Sequence, residues 1–474
     1  MSYTIPEDKG DVEKVEDCSA DADKRALPTR AVNVYTPGEI RAVIRKLDFR
    51  LMPLCFVLYT FSVLDRSNLG NAKLAGMASD IDLSGNRYQW LGTAFYISYI
   101  VFQFTTLGWK LFPPHKWTAF VVFFWGTAST LQAVCTSWGG LMACRLMLGI
   151  AETMFGPGIP LYLSFFYPRE YMGVRFGIFL SGAALANAYG GVLAYGLSHV
   201  RSSVSNWKFL FVIEDSPMKA KFLSPGEKQI AQALASSQSG GEAPSEGGLQ
   251  LSHLIDAFRD YRNWLFAISN FSTNVSFASL PLFLPTIISE MGTFDTLAAN
   301  GLSAPPYAFA FLIMIACAFL SDYLRMRGPI AVFFALVASL GYLILALTDG
   351  VAPRYVGIFL VVLIFVTVST VLVWNANTNE SGSKRAGGLW IIMTVGQCGS
   401  LLGTNMFPAD EAPYYRRGMW IGFAFSMLSA CVCASLSFLL WRGNRRRDRL
   451  YSSGGAGLSN GYEESPEAVF RYII

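Results

Sequence analysis

Two ionisable residues seven positions apart, Arg145 and Glu152, stand in the otherwise apolar stretch RLMLGIAETMF (145–155). On an α-helix that spacing is two turns, so guanidinium and carboxylate share a face with Gly149, about 10 Å apart along the axis. An ionisable group inside an apolar helix is costly to place and is by default a functional candidate. One cation and one carboxylate on a water-lined face suit an anion held by the arginine while the carboxylate takes up a proton, which partial burial favours. The alternative is structural, with Arg145 tying helices together by donating to neighbouring carbonyls.

Other polar residues stand in or beside apolar stretches. Asp65-Arg66-x-Asn68 closes the first of them, where both charges could also sit at a headgroup boundary at little cost. Asn270 and Asn274 are spaced i, i+4 and each opens an N-x-S sequon, idle if at membrane depth. Together with Trp374 and Asn375 they suit either a cavity lining or interhelical hydrogen bonds.

Several chemistries find no support. The sequence has no Walker A loop, no HExxH and no Gly-rich dinucleotide turn, so ATP hydrolysis and enzymatic function are not expected. Its three histidines are too scattered to suggest a metal site, and no cofactor is expected. The eight cysteines form no CxxC pair, and all but Cys18 lie in apolar blocks as small buried hydrophobes. Gly457-x-Ser459-x-Gly461 matches a nucleophile elbow only formally, with no strand before it and no helix after it.

The elements that must position these residues are membrane helices. Of 474 residues, 53% are hydrophobic and 15% charged, and the mean hydropathy is +0.38. Soluble domains carry about 25% charged residues. Uncharged blocks such as YVGIFLVVLIFVTVSTVLVW are long enough to cross a hydrocarbon core of about 30 Å, and in lipid only helices satisfy such a backbone. The expected spans are 48–65, 88–108, 117–135, 140–162 and 176–197, then 264–289, 304–321, 329–347, 354–374, 387–407 and 418–441. Gly156-Pro157-Gly158-Ile159-Pro160 should kink the fourth. The predicted organisation is a disordered cytosolic tail (1–40), a first helical half (41–213), a cytosolic central loop (214–263), a second half (264–441) and a cytosolic tail (442–474). In the central loop Ser224, Pro225 and Glu227 fit a capping box, and Leu251, Leu254, Ile255 and Phe258 form one stripe suited to lying on the membrane surface.

Five spans followed by six conflict with the excess of Lys and Arg that marks cytoplasmic loops. With a sixth span near residue 207 the cytoplasmic loops carry 22 Lys and Arg against 8 outside; without it, the second half leaves 14 outside and 3 inside. The only candidate, Trp207–Ile213, supplies about 10 Å of helix and cannot cross.

Longer motifs carry a resemblance. LDFRLMPLCFVLYTFSVLDRSNLGNAKLAGM (47–77), RLMLGIAETMFGPGIPLYLSFFYPRE (145–170) and WKFLFVIE (207–214) resemble the major facilitator superfamily, specifically the fungal anion:cation symporters of allantoate, nicotinate and pantothenate. So do LPLFLPTII (280–288), SAPPYAFA (303–310), WNAN (374–377), KRA (384–386) and APYYRRG (412–418). The resemblance implies an all-α polytopic fold of two helical half-bundles with twelve spans, eleven of them read here. It also implies about twenty apolar residues between Glu214 and Asp215, where this chain joins directly. We read the junction as a deletion or a mis-joined gene model.

By the same resemblance Arg145 and Glu152 match a coupling motif, and Asp65 faces a translocation path. Asp322, Arg325, Arg327 and Gly328 match a gating motif in which an Asp meets a helix N-terminus and Arg pairs hold one conformation closed. A generic positive loop would look alike, and the equivalent first-half loop GWKLFPPHK (108–116) lacks the Asp. The expected function is proton-coupled uptake of a small organic anion or vitamin by alternating access. Its partners are the solute, protons and the bilayer, with no nucleic acid or obligate protein partner, in a plasma membrane with both tails cytoplasmic. The competing class is a non-transporting membrane protein, a nutrient sensor or an inactive truncated product.

Overall fold

In the computed structural model the eleven expected spans are helical over most of their length, the second breaking at Val101 and the fourth at Phe155. The structure describes residues 37–198 apart from 164, 165 and 168, residues 251–454 apart from 293, 295, 380 and 381, and residues 472 and 473. The first group comprises α1 (Pro37–Ala72), α2 (Arg87–Val101), α3 (Pro114–Gln132), α4 (Trp138–Phe155) and α5 (Arg169–Ser198). A short helix, α6 (Leu251–Arg259), precedes α7 (Tyr261–Glu290), α8 (Thr296–Leu324), α9 (Gly328–Leu347), α10 (Val351–Val362), α11 (Ile364–Thr378), α12 (Gly382–Gly403) and α13 (Arg416–Gly454). Counting α10 and α11 as one span broken at Leu363, eight helices among the described residues are long and apolar enough to cross a membrane.

Local chemistry sets the starts. Pro114 opens α3, where its missing N–H costs nothing. Ser137 caps α4 by accepting from Gly140 N at 3.3 Å, and Asp260 caps α7 by accepting from Arg262 N at 3.1 Å. The fourth span breaks as expected: α4 ends at Phe155 and helix resumes at Gly158–Leu163. α1 runs two turns beyond the expected boundary at 65, and its extension ends only at Gly76, whose φ of 106° suits glycine.

Let the end where α1 begins be the tail end and the other the far end. Asp48 pairs with Arg175 near the starts of α1 and α5, while the last turns of the two helices meet where Gly190 packs on Leu64 and Asn71. Gly70 near the end of α1 meets the carbonyl of Pro281 in α7. α8 runs opposite to α5, with Asp322 against Val174 at one end and Asn300 against Gly191 at the other. So α1, α5 and α7 are parallel. α5 finishes at the far end and α6 begins at the tail end, and the chain between Ser198 and Leu251 joins opposite ends of the bundle. Trp207–Ile213 and the Ser224–Glu227 cap fall in this interval, outside the described residues.

Small residues set the closest packing. A Cβ on Gly399 or Gly403 of α12 would stand 2.1 or 2.3 Å from the Phe271 or Val275 carbonyl oxygen of α7, so these helices touch backbone to backbone.

α6 docks on the bundle through one face: Ala257 is buried against Gly387 of α12, and the Phe258 ring sits 5.5 Å from Trp390, while Ile255 of the predicted stripe stays exposed. Small residues at 257 and 387 let it dock. In the second tail, α13 continues to Gly454, and Tyr472 is buried. Of the predicted first tail, residues 1–36 lie outside the described residues, and 37–40 are already helical.

Candidate functional site

Glu152 stands 14 residues into α4, whose start is pinned at the far end by the Trp138 indole donating to Arg87 O at 3.0 Å. At 1.5 Å per residue that is about 20 Å deep, inside a hydrocarbon core of about 30 Å. Its carboxylate is fully buried and accepts from Ser62 Oγ at 2.9 Å and from Arg66 Nε at 2.5 Å. Arg66 lies against two neighbouring rings, with its guanidinium carbon 5.2 Å from the Phe95 centroid and 5.1 Å from that of Tyr99. The sequence reading counted Arg66 among outside loop charges because the first apolar run ends at 64. α1 runs past Asp65 and through Gly70 and Asn71, residues that would ordinarily read as a helix stop, and so carries Arg66 inward.

The other first-half candidates surround this pair. Asp65 is fully buried, and its carboxylate accepts from the Trp125 indole and the Ser129 hydroxyl of α3. That places it inside the helical group rather than at a boundary. Arg145 is buried, but it does not meet Glu152: its NH1 donates to the main-chain carbonyl of Asp65 at 3.2 Å, linking α4 to α1. The shared face inferred for Arg145 and Glu152 holds, yet α1 supplies the partner of each.

In the second half, Asn270 Nδ2 donates to the Ile392 carbonyl at 2.9 Å, and Asn274 Nδ2 to the Asn270 carbonyl at 2.8 Å. Both act here as interhelical and intrahelical ties. Asn375 donates to Asn263 Oδ1 at 3.0 Å, as does Asn379 at 3.0 Å. Trp374 is buried, its ring 5.1 Å from Phe266 and its indole N–H donating to Ile473 O at 2.8 Å.

The gating candidates separate. Asp322 accepts from Arg327 NH2 at 2.8 Å and from Val174 N, in the opening turns of α5, at 2.8 Å, so one carboxylate bridges the two halves at the tail end. A Cβ on Gly173 would fall 2.0 Å from Asp322 Oδ1, so only glycine admits this approach. Gly173 was missed in the sequence; Gly173-x-x-x-Gly177, a small-x-x-x-small stripe, was its signal, and Gly177 packs on Ala318. Arg325 is exposed with φ 52°, turning the chain between α8 and α9, and is not brought to Asp322. Gly328 lets α9 start against Ser437 and Trp374, since a Cβ there would lie 1.9 and 2.7 Å from them. Nearby, burial pushes the Asp260 carboxyl up, but hydrogen bonds and charge from Arg262 and Lys384 outweigh it and hold it below the usual carboxylate range.

At the far end the halves meet through hydrogen bonds between neutral groups, with Lys73 of the first half also in the field of Glu290 of the second. Tyr88 Oη donates to Leu282 O at 2.9 Å, and the Thr93 and Thr404 hydroxyls lie 2.9 Å apart. The buried ion pair therefore sits between two inter-half seams. This arrangement, two helical groups touching above and below a buried charge pair, has the parts of an alternating-access carrier.

Comparisons with known proteins agree. The family model described as Major Facilitator Superfamily matches residues 55–404. The "MFS-type transporter efuF" of Hormonema carpetanum is 29% identical over 91% of this chain and 91% of its own. The "High-affinity nicotinic acid transporter" of Saccharomyces cerevisiae is 29% identical over 86% of this chain and 79% of its own. Among solved structures, a D-xylose-proton symporter superposes with a TM-score of 0.60 at 12% identity, covering 81% of this chain and 97% of that one. A bacterial homologue of the human lysosomal transporter Spinster, inward-facing and occupied, gives 0.57 at 14% identity over 81% of this chain and 96% of that one. The chain is an integral membrane transporter and belongs to the major facilitator superfamily.

Proposed function

We propose that this transporter couples inward movement of a small organic anion, such as nicotinate, pantothenate or allantoate, to that of a proton. The carrying observation is the Arg66–Glu152 pair, buried at mid-depth. A buried cation and carboxylate neutralise each other, and removing either partner leaves a costly charge. An incoming carboxylate that takes over Arg66 displaces Glu152, and a carboxylate without its cation in an apolar setting favours the protonated state. Anion and proton then load together and leave together, because the departing anion returns Arg66 to Glu152. Asp65, held by Trp125 and Ser129, positions the α1 turn that presents Arg66, and Arg145 braces the same turn from α4. The resemblance to fungal anion permeases and the similarity to a nicotinic acid transporter support the carboxylate class. Both tails then face the cytoplasm and the far end faces outward at the plasma membrane.

The test is uptake of a panel of labelled carboxylates in a transport-deficient strain, with the sixth span restored. Uptake should rise on acidifying the medium and vanish with a protonophore. In Glu152→Gln, uphill accumulation should be lost while exchange of internal for external solute persists. Uphill uptake per surface molecule equal to the parent's would remove Glu152 from the coupling role.

A further inference from the structure

Tyr472 stands 28 positions beyond Asn444, yet it and the next residue, Ile473, pack against the tail end of the second half. The Asn444 side chain pairs with the Tyr472 backbone in both directions: Nδ2 donates to Tyr472 O at 2.9 Å, and Tyr472 N donates to Oδ1 at 3.0 Å. The Tyr472 hydroxyl accepts from Arg262 NH1 and from Arg447 NH2, the latter at 3.0 Å. The same two guanidinium carbons lie 4.9 and 4.6 Å from the ring centroid. Ile473 O accepts the Trp374 indole at 2.8 Å. Three helices, α7, α11 and α13, thus converge on two residues of a segment outside the bundle's spans, and Tyr472 is only 8% exposed.

This site is continuous with the tail-end seam. Trp374 packs on Gly328 at the start of α9, and the preceding residue, Arg327, holds the Asp322 carboxylate that bridges to Val174 of α5. On the other side Arg262 pairs with Asp260, which also pairs with Lys384 of α12 at 3.1 Å. Docking therefore fixes the ends of the helices that back the seam.

We propose that the Tyr472–Ile473 segment is an intramolecular latch whose seating between α7, α11 and α13 holds the tail end of the transporter shut. Its release is the step that frees that end to open. The docking site recognises a phenol and the backbone N–H and carbonyls beside it, read by two arginines, an asparagine and an indole N–H. The inference needs the two halves to part at the tail end, but not the anion or proton assignment.

Cys317 gives a substrate-free readout, because it is buried in the crevice it shares with Gly173, Gly177, Asp322 and Arg327. The experiment measures its alkylation by a water-soluble maleimide in lipid nanodiscs, read on the Cys317 peptide by mass spectrometry. Asp322→Ala, which breaks the seam directly, sets the fast limit. Tyr472→Ala and Asn444→Ala should each speed alkylation about fivefold or more, the range that modest losses of stabilisation produce. Tyr472→Phe, which keeps the ring between the arginines, should lie between these and the parent. Amide exchange supplies a second measurement: Tyr472 N–H should be protected in the parent and unprotected in Asn444→Ala. Parent-like Cys317 rates in both alanine variants alongside a fast Asp322→Ala, or an unprotected Tyr472 amide in the parent, would overturn the latch.

Discussion

The guanidinium of Arg66 lies against the carboxylate of Glu152, 86 positions away in the chain, with the neighbouring Phe95 and Tyr99 rings against it and Ser62 donating to the same carboxylate oxygen, Oε2, that Arg66 meets. Glu152 is fully buried and the Arg66 side chain only 10% exposed. In the proposed coupling, the interaction that stabilises the fold is therefore also the one an incoming anion must break.

A double-mutant cycle on this pair checks the first part of that statement. Arg66→Met and Glu152→Gln should each lower thermal stability strongly, by about 3–5 kcal/mol for a stranded buried charge. The double variant should be less damaged than the sum of the two, because no charge is left stranded. Additive losses in melting experiments on purified protein would show that the two side chains do not share one interaction.

The two arginines should fail differently. Arg66→Lys keeps a charge but loses the planar fork that grips a carboxylate, so KM for the anion should rise while the amount of surface protein stays near normal. Arg145→Lys removes the tie to the Asp65 carbonyl, so its loss should appear first as lower surface abundance. Uptake kinetics beside surface labelling separate the cases, and a raised KM in Arg145→Lys with full abundance would reverse the assignment.

Gly173→Ala should loosen the tail-end seam. The added methyl would press on a carboxylate already fixed by Arg327 and Val174 N, costing about 1.5–3 kcal/mol for a charged hydrogen bond. Spin labels at the exposed positions Phe49 and Tyr323 should report longer distances across that end. An unchanged distance distribution would mean that Asp322 shifts aside without opening the seam.

The junction at Glu214–Asp215 also has a definite expectation. Because α5 and α7 are parallel, the chain between them has to return from the far end to the tail end, and a membrane crossing needs about twenty apolar residues. Sequencing native transcript across this junction should reveal them. A transcript identical to the given sequence would exclude the mis-joined gene model.

Eight of the eleven expected spans coincide with helices long and apolar enough to cross, because hydrocarbon imposes its length on the sequence directly; 88–108, 117–135 and 140–162 form helices that are shorter or less apolar. The identities of buried candidates were legible too: Asp65, Arg145 and Glu152 are all inside. Their pairing was not. Helical spacing places Arg145 and Glu152 on one face but says nothing of α1, whose rotation brings Arg66 to one and the Asp65 carbonyl to the other. Gly173 escaped for a related reason, since its importance lies in an Asp322 on the opposite half. The site of Tyr472 could not be read at all, because no periodicity links a residue there to Asn444.

The two seams are not simply one charged and one neutral. Opening the far end parts the uncharged pairs Tyr88–Leu282 and Thr93–Thr404, and also draws Lys73 away from the charge of Glu290. Opening the tail end strips the Asp322 carboxylate of the bond it accepts from Val174 N, and bonds to charged groups contribute roughly twice as much as neutral ones. Each end thus has an electrostatic contact of its own, so which way an empty molecule leans is a balance between two contacts and shifts with whichever is weakened.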